Sequence, residues 1–374
     1  MTKRNFNRIL ALGLTAIIGL SAVACRSTED EVEETTAAST TTETTTEATT
    51  TTTTVEETTT TETTTEAELV DSPNAYPLTG IDAGFNVEET ELPILAIMID
   101  NHPDARPQYG VSQADIVIEQ RVEGPYTRYL ALFQSQEPSK IGPVRSSRFN
   151  FLQKLAGIDA IYFHVGGSEE ALNYIANNNW VTNVDAMSAS TRYLWRDSAG
   201  GKFAPHNVFT SYDAATTAIT NYGYSLDSQA PELQFYANLS LPGYESSTAN
   251  SISVTYDASN ISEYEYDAGE GKYLRSKNGE QQVDEGNGQV VSPSNVIVQF
   301  VRHSKNGIYQ VLDQIGTGNA YLFTAGQKVD ITWSKPDLHS PTKFYYAGTE
   351  EEIVLNPGLT WIETIEGPSS VKFN

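Results

Sequence analysis

Pro93-Ile94-Leu95-Ala96-Ile97-Met98-Ile99, residues 93–99, form an unbroken apolar run of strand length. A half-exposed strand would alternate, so this run predicts a strand covered on both faces. It ends at the polar turn cluster Asp100-Asn101-His102-Pro103. A loop of turn formers follows, Asp104-Ala105-Arg106-Pro107-Gln108. Residues Asp115 to Val122 and Thr127 to Gln134 predict a second and a third strand. The short Gly124-Pro125 connection between them predicts an antiparallel hairpin.

Further along stands Ile141-Gly142-Pro143-Val144-Arg145-Ser146-Ser147-Arg148. Phe149, Leu152 and Leu155 then recur at helical spacing, which predicts a helix over 146–156. Arg145, Ser146 and Arg148 would open that helix, where unpaired backbone N–H groups suit an anion. Ala160 to Val165 predicts another buried strand running into Gly166-Gly167-Ser168. Ser168, followed by Glu169 and Glu170, reads as the N-cap of a second helix. Val181 to Met187 predicts a short strand, and Ser211 predicts the cap of a helix from Tyr212 to about Asn221.

Near residues 225–250 the composition shifts to Gln, Pro, Ser and Asn, which places a domain boundary there. Beyond it short strand patterns dominate, with Asn295 to Arg302 the strongest and Thr360 to Glu363 the last. This spacing predicts an antiparallel sheet or partial barrel. Its tyrosines are expected to pack on the pleat rather than to stack on carbohydrate.

The N-terminus carries an address. Lys3, Arg4 and Arg8 precede the apolar stretch Ile9 to Leu20, and Ala22-Val23-Ala24-Cys25 closes it, as in a bacterial secretion signal. The stretch is too short for a stable membrane-spanning helix. Cys25 is the only cysteine, so it has no partner for an internal disulfide. Its position resembles a lipobox, with Ala22 where Leu is usual, and predicts a diacylated (palmitate-type) anchor on the cell membrane's extracytoplasmic face. Residues 26–71 are Thr/Glu-rich and cannot bury enough surface to fold. They predict a flexible tether with a typical reach of about 40 Å. The expected division is a signal peptide at 1–25, a tether at 26–71, an α/β part at 72–225 and a β-rich part at 245–374. A net charge of −25 argues against nucleic-acid partners, which need a basic surface.

Residues 77–363 resemble the YerB-like lipoprotein family of bacterial envelopes, whose function is unknown. The resemblance rests on Pro77-Leu78-Thr79-Gly80, MIDNHPDARPQ (98–108), SQADIVIE (112–119), TRYLALFQS (127–135), IGPVRSSR (141–148), HVGGS (164–168), WRD (195–197), APHN (204–207), NVIVQ (295–299) and NPGLTWI (356–362). It implies an α+β fold, a three-layer sandwich of mixed sheets and helices with a smaller β-rich C-terminal part. One departure is visible: Gln281-Gln282 stand where a histidine-bearing stretch is expected.

The candidate ligand-binding residues are Arg106, Arg128, Arg145, Ser146, Arg148, Gly166, Gly167, Ser168, Arg196 and Asn207. Arginines fork onto carboxylate or phosphate oxygens, and a ligand of that kind would be an anionic cell-wall component or a peptide. Candidate acids and bases are Asp100, Glu119, His164, Asp197 and His206. Ion pairs such as Glu119–Arg128 and Asp197–Arg196 are the structural alternative. No Gly-x-Ser-x-Gly elbow supports a triad from Ser146 or Ser168. No paired-ligand spacing supports zinc on His164, His206 and Asp100, so neither metal nor cofactor is expected. His102 reads as part of a turn. The leading expectation is a non-enzymatic anchored lipoprotein that binds an anionic ligand or an envelope protein. The rivals are a wall-acting hydrolase or transferase using Glu119, Asp100 or His206, and a structural adaptor with a large exposed apolar patch.

Overall fold

The computed structural model describes residues 67–226, 228 and 230–374. The expected signal segment, Cys25 and the tether up to residue 66 lie outside the described residues. Residues 67–71, assigned above to the tether, join the fold: Leu69 bridges Tyr236, and the Val70 amide donates to the Phe235 carbonyl at 2.8 Å.

Sixteen of the strands matter here. In the first part they are β1 (Leu95–Asp100), β2 (Ile116–Arg121), β3 (Thr127–Phe133), β4 (Ile161–His164) and β5 (Asn183–Asp185). In the second part β6 (Ser246–Thr248), β7 (Ser251–Asp257), β8 (Asn260–Asp267), β9 (Lys272–Lys277) and β10 (Glu280–Gln281) come first. They are followed by β11 (Asn295–Phe300), β12 (Gly316–Thr324), β13 (Gln327–Lys335), β14 (Lys343–Tyr346), β15 (Thr360–Ile365) and β16 (Val371–Phe373). Three α-helices are α1 (Phe149–Leu155), α2 (Glu169–Asn177) and α3 (Tyr212–Tyr222).

One mixed sheet of eleven strands runs β14-β13-β12-β11-β15-β2-β3-β1-β4-β5, with β6 beside β13. The hairpin of β2 and β3 is antiparallel, as its short connection predicts. A second sheet of five strands has the order β10-β9-β8-β7-β16.

The second part thus holds the antiparallel sheet expected of it, β7 to β10 with β16, while its other strands do not stay apart from the first part. β11 and β15 run parallel to each other, and β15 runs parallel to β2, so strands from both sides of the expected boundary share one sheet. The physical reason lies in their composition. Five of the six residues of β11, and five of the six of β15, are buried, and strands of that kind need cover on both faces.

The main sheet is the middle of three layers. Leu95, Ile97 and Ile99 of β1 pack with Ala215, Ala218 and Ile219 of α3 and with Tyr256, Tyr264 and Tyr273 of the second sheet. Ala96 and Met98 face the other way, onto Phe151, Leu152 and Leu155 of α1 and Ala171 of α2. Side chains alternate across a strand, so a run apolar at every position feeds both cores. The fold is α+β with a β-rich C-terminal part, as implied by the resemblance, and its tyrosines do pack inward.

Helix ends follow local chemistry. Ser168 accepts from the Ala171 amide at the start of α2, and Ser211 from the Ala214 amide at the start of α3. Gly223 ends α3 at φ 72°, where only a residue without Cβ is unstrained. α1 starts later than its sequence predicts. Its N-cap is Arg148, whose side chain makes no capping bond.

Candidate functional site

Residues 141–148 form an extended strap across the ends of β1 and β4, not the first turn of a helix. Ile141 bridges Thr210 and Val144 bridges Ile99. The Arg145 amide donates to the Met98 carbonyl at 2.7 Å, and the Val165 amide to the Arg145 carbonyl at 3.0 Å. Ile141 and Val144 are fully buried, so they fasten the strap and leave Arg145, Ser146 and Arg148 at its polar side. Gly142 is required in it: φ is 138°, and a Cβ would stand 2.8 Å from the Val144 nitrogen. The expected helix-terminal anion site is thereby corrected. Arg145 and Ser146 precede α1; the Arg145 backbone is spent on Met98 and Val165, and the Ser146 carbonyl accepts from Arg128.

The strap still brings distant arginines together. A cavity of about 300 Å³ is lined by Arg128 of β3, Arg145 and Arg148 of the strap, and Asp100 at the end of β1. His102, Glu123, Tyr126 and His206 complete its charged and aromatic wall. Three guanidinium groups against two carboxylates leave one net positive charge there, in a chain whose total is −25.

Each charge has a defined partner. Arg148 Nε donates to Glu123 Oε1 at 2.7 Å, and its Nη2 reaches the same oxygen. Arg128 Nη1 donates to the Ser146 carbonyl at 2.6 Å, with Nη2 3.5 Å from Glu123 Oε2. Burial, and then Arg148 beside it, bring the Arg128 guanidinium down to about 10, so it stays protonated. Arg145 differs. Its Nε lies 3.0 Å from Asp100 Oδ2 but out of line for a hydrogen bond. Its terminal amines have no hydrogen-bond partner among the described residues.

Asp100 is 3 % exposed. One oxygen accepts from the His102 amide at 3.1 Å, and the other faces His206 Nδ1 at 2.7 Å. Burial alone would raise this carboxyl, but the His206 hydrogen bond and the Arg145 charge bring it net below the ordinary aspartate range. The His206 ring stacks on His102 with centroids 4.5 Å apart and 18° between planes, and His102 in turn meets Tyr126 at 4.6 Å. Burial, then the facing His206, hold the His102 imidazole below its ordinary value.

His102, Asp104 and His206 place ligand-type atoms within 4.8 Å of one another. The stacked rings argue against a shared cation. Ring lone pairs lie in the ring planes, and nearly parallel planes do not converge on one ion at the 2.0–2.1 Å usual for zinc. The guanidinium groups oppose it as well.

The other candidates go elsewhere. Arg106 donates to the side chain and carbonyl of Asn101, at 3.0 and 2.9 Å, and lines a separate hollow beside Gln108. Arg196 donates to Asn207 at 2.8 Å, and Asn207 to Ser198. Asp197 pairs with Lys140 at 2.7 Å, not with Arg196. His164 is 1 % exposed, between the Gly166 carbonyl and Asn183. At the Gly166-Gly167-Ser168 turn the Gly166 amide donates to Asp185, and the Ser168 amide to the Ser147 carbonyl. With two glutamates in the next turn, that end offers little to an anion.

Glu119 is fully buried and does not reach the cavity. Its partners are Arg275 at 2.6 Å and Lys277 at 2.8 Å, not Arg128. Glu363 lies beside it in register on β15 and accepts from Tyr256 at 2.6 Å and from Tyr264. Arg275 stacks on Trp361, 4.1 Å from the ring, and donates to Gln282, one of the two glutamines noted above. Lys277 and Arg275 hold Glu119 below the carboxylate range against the pull of burial, whereas burial and then Glu119 push Glu363 up.

Sequence reasoning missed His102, Glu123 and Tyr126 of the cavity, and Arg275, Lys277 and Glu363 of the buried cluster. A signal for the latter existed. Tyr273, Arg275 and Lys277 share one face of β9, and the Tyr273 phase is the buried one.

Fold and site together define an α+β domain with a charged cavity at the end of a mixed sheet. Residues 78–225 match the N-terminal domain, and residues 252–362 the C-terminal domain, of the family described as "Protein of unknown function (DUF3048)". The chain is 33% identical over 298 residues to the Bacillus subtilis (strain 168) protein named "Putative lipoprotein YerB", covering 77% of this chain and 85% of that one. It is also similar to the crystal structure of the YerB protein from Bacillus subtilis, with a TM-score of 0.70 at 31% identity over 80% of this chain and 99% of that one. The chain belongs to the DUF3048 family.

Proposed function

We propose that this protein is a membrane-anchored extracytoplasmic lipoprotein, held through Cys25 and the Thr/Glu-rich tether, that binds an anionic ligand in the Arg128/Arg145/Arg148 cavity. The name of the Bacillus relative supports the anchoring. The observation that carries the binding is Arg145. Arg145 lines the cavity and its terminal amines have no hydrogen-bond partner among the described residues, while Arg128 and Arg148 add positive field from fixed positions. A phosphate or carboxylate would complete the donor set that Asp100 leaves open. A larger hollow of about 450 Å³ is lined mainly by Trp180, Leu233, Ile297, Phe344 and other apolar groups, and lacks such a cluster of cations.

Calorimetric titration of the full chain with inorganic phosphate tests the reading. Arg145→Gln should weaken binding at least about tenfold, the loss of one charge-assisted contact, with the melting temperature nearly unchanged. Unaltered affinity, or collapse of the fold instead, would remove this reading.

A further inference from the structure

We propose that the cavity hydrolyses phosphoesters, with His206 as general base and Asp100 as the group that positions it. The inference rests on the anion reading, because the same guanidinium groups would hold the ester. An ionised Asp100 2.7 Å from Nδ1 places the imidazole proton on Nδ1, which leaves the lone pair on Nε2. Nε2 has no hydrogen-bond partner among the described residues, and the His206 side chain is 14% exposed at the cavity wall. The stack on His102 and the bond to Asp100 fix the ring in two directions, which is what a base needs in order to be aimed.

Arg145 Nε and His206 Nδ1 face the same Asp100 oxygen, at 3.0 and 2.7 Å, and both residues line one cavity, so an anion held by Arg145 lies in the same cavity as the base. Arg128 and Arg148 add positive charge where the phosphorane oxygens would carry negative charge. The step balances. A water oxygen forms a bond to phosphorus while its proton passes to His206 Nε2. The P–O bond to the alcohol breaks, and its electron pair leaves with the alkoxide. The alkoxide takes a proton from solvent at the cavity mouth, and the imidazolium returns one to solvent. Phosphoester and water thus give an alcohol and a phosphate with one ester bond fewer.

The groups that set the pH response are Asp100 from β1, His102 from the next turn, Arg128 from β3, Glu123 and Tyr126 from the β2–β3 connection, and Arg145 and Arg148 from the strap. The test uses the full chain in detergent with bis(4-nitrophenyl) phosphate and 4-nitrophenyl phosphate. 4-Nitrophenolate leaves without needing a proton, so its release reads the base-assisted step. The expected result is turnover that declines in acid. His206→Ala should lower kcat by about 10²–10⁴-fold and lose the acid limb, and added imidazole should restore part of the rate. Asp100→Asn should lower kcat more than it raises KM. The ester preferred distinguishes a diester from a monoester ligand. Phosphate binding without turnover of either ester overturns the hydrolysis and leaves the anion reading standing. Absence of both binding and turnover overturns both. Turnover that survives in His206→Ala with its pH profile intact overturns the role of the pair.

Discussion

Two charged clusters, built from similar residues, sit at the two ends of one hydrogen-bonded connection. The sealed cluster of Glu119, Arg275, Lys277 and Glu363 lies between the main sheet and the second sheet, with at most 3 % of any side chain exposed. The open cluster of Asp100, His206, Arg145, Arg148, Glu123 and Arg128 lines a cavity. Thr127 joins them: it lines the cavity and donates to Glu119 at 2.6 Å. In the sealed cluster Glu119 accepts from Arg275, Lys277, Thr127 and Asn101, so nothing is left for a ligand. In the open one, imidazole Nε2 and the Arg145 terminal amines have no hydrogen-bond partner among the described residues. Water access, not residue type, separates a clamp from a site.

The comparison can be broken most severely in the sealed cluster. Arg275→Met leaves Glu119 and Glu363 side by side with Lys277 as their main counter-charge. A loss of about 3–5 kcal/mol in denaturant unfolding is expected, the usual penalty for stranding a buried charge. A loss below about 1 kcal/mol would mean that the clamp is dispensable.

A third site sharpens the point, because it has burial without a counter-ion. Lys154 of α1 is 5 % exposed and, among the described residues, its amine donates only to Gln299. Burial, and then Lys335 nearby, bring its amine down to about 7. The unfolded chain keeps that proton up to its ordinary pKa near 10.5, so folding releases a proton between about pH 7 and 10.5. Stability therefore falls as pH drops through this window. Lys154→Met should flatten that slope and, at pH 7, raise stability by on the order of 1–3 kcal/mol, as measured by unfolding across pH 6–10.

The smallest effect on stability belongs to the open cluster. Arg145→Gln should lower unfolding free energy by only about 1 kcal/mol, well below Arg275→Met, because its contact with Asp100 is out of line for a hydrogen bond and Asp100 keeps its bonds to His102 and His206. Its phosphate affinity should nonetheless fall, and raising ionic strength should weaken wild-type binding in the same direction. Equal stability losses at Arg145 and Arg275 would erase the distinction between the two clusters.

Much of the fold was legible along the chain. The apolar run at 93–99, the hairpin through Gly124-Pro125 and the caps at Ser168 and Ser211 are local features, and each stands where its residues predict. The site was legible only in part. Arg128, Arg145, Arg148, Asp100 and His206 do meet, but Arg106, Arg196, Glu119, His164 and Asp197 are drawn to other partners. His102 looked like a turn residue because its role is to stack on a ring more than one hundred positions away.

By itself the sequence determined the family, the order of strands and helices, and the supply of cations near Gly142-Pro143, because caps, turns and periodicity act over a few residues. Only the tertiary structure decided that strands from both family segments share one sheet, which places Glu119 against Glu363 and seals them. It also decided which arginine meets which acid. Ion pairing depends on distance in space and on exclusion of water, and neither is written in the spacing of charges along a chain.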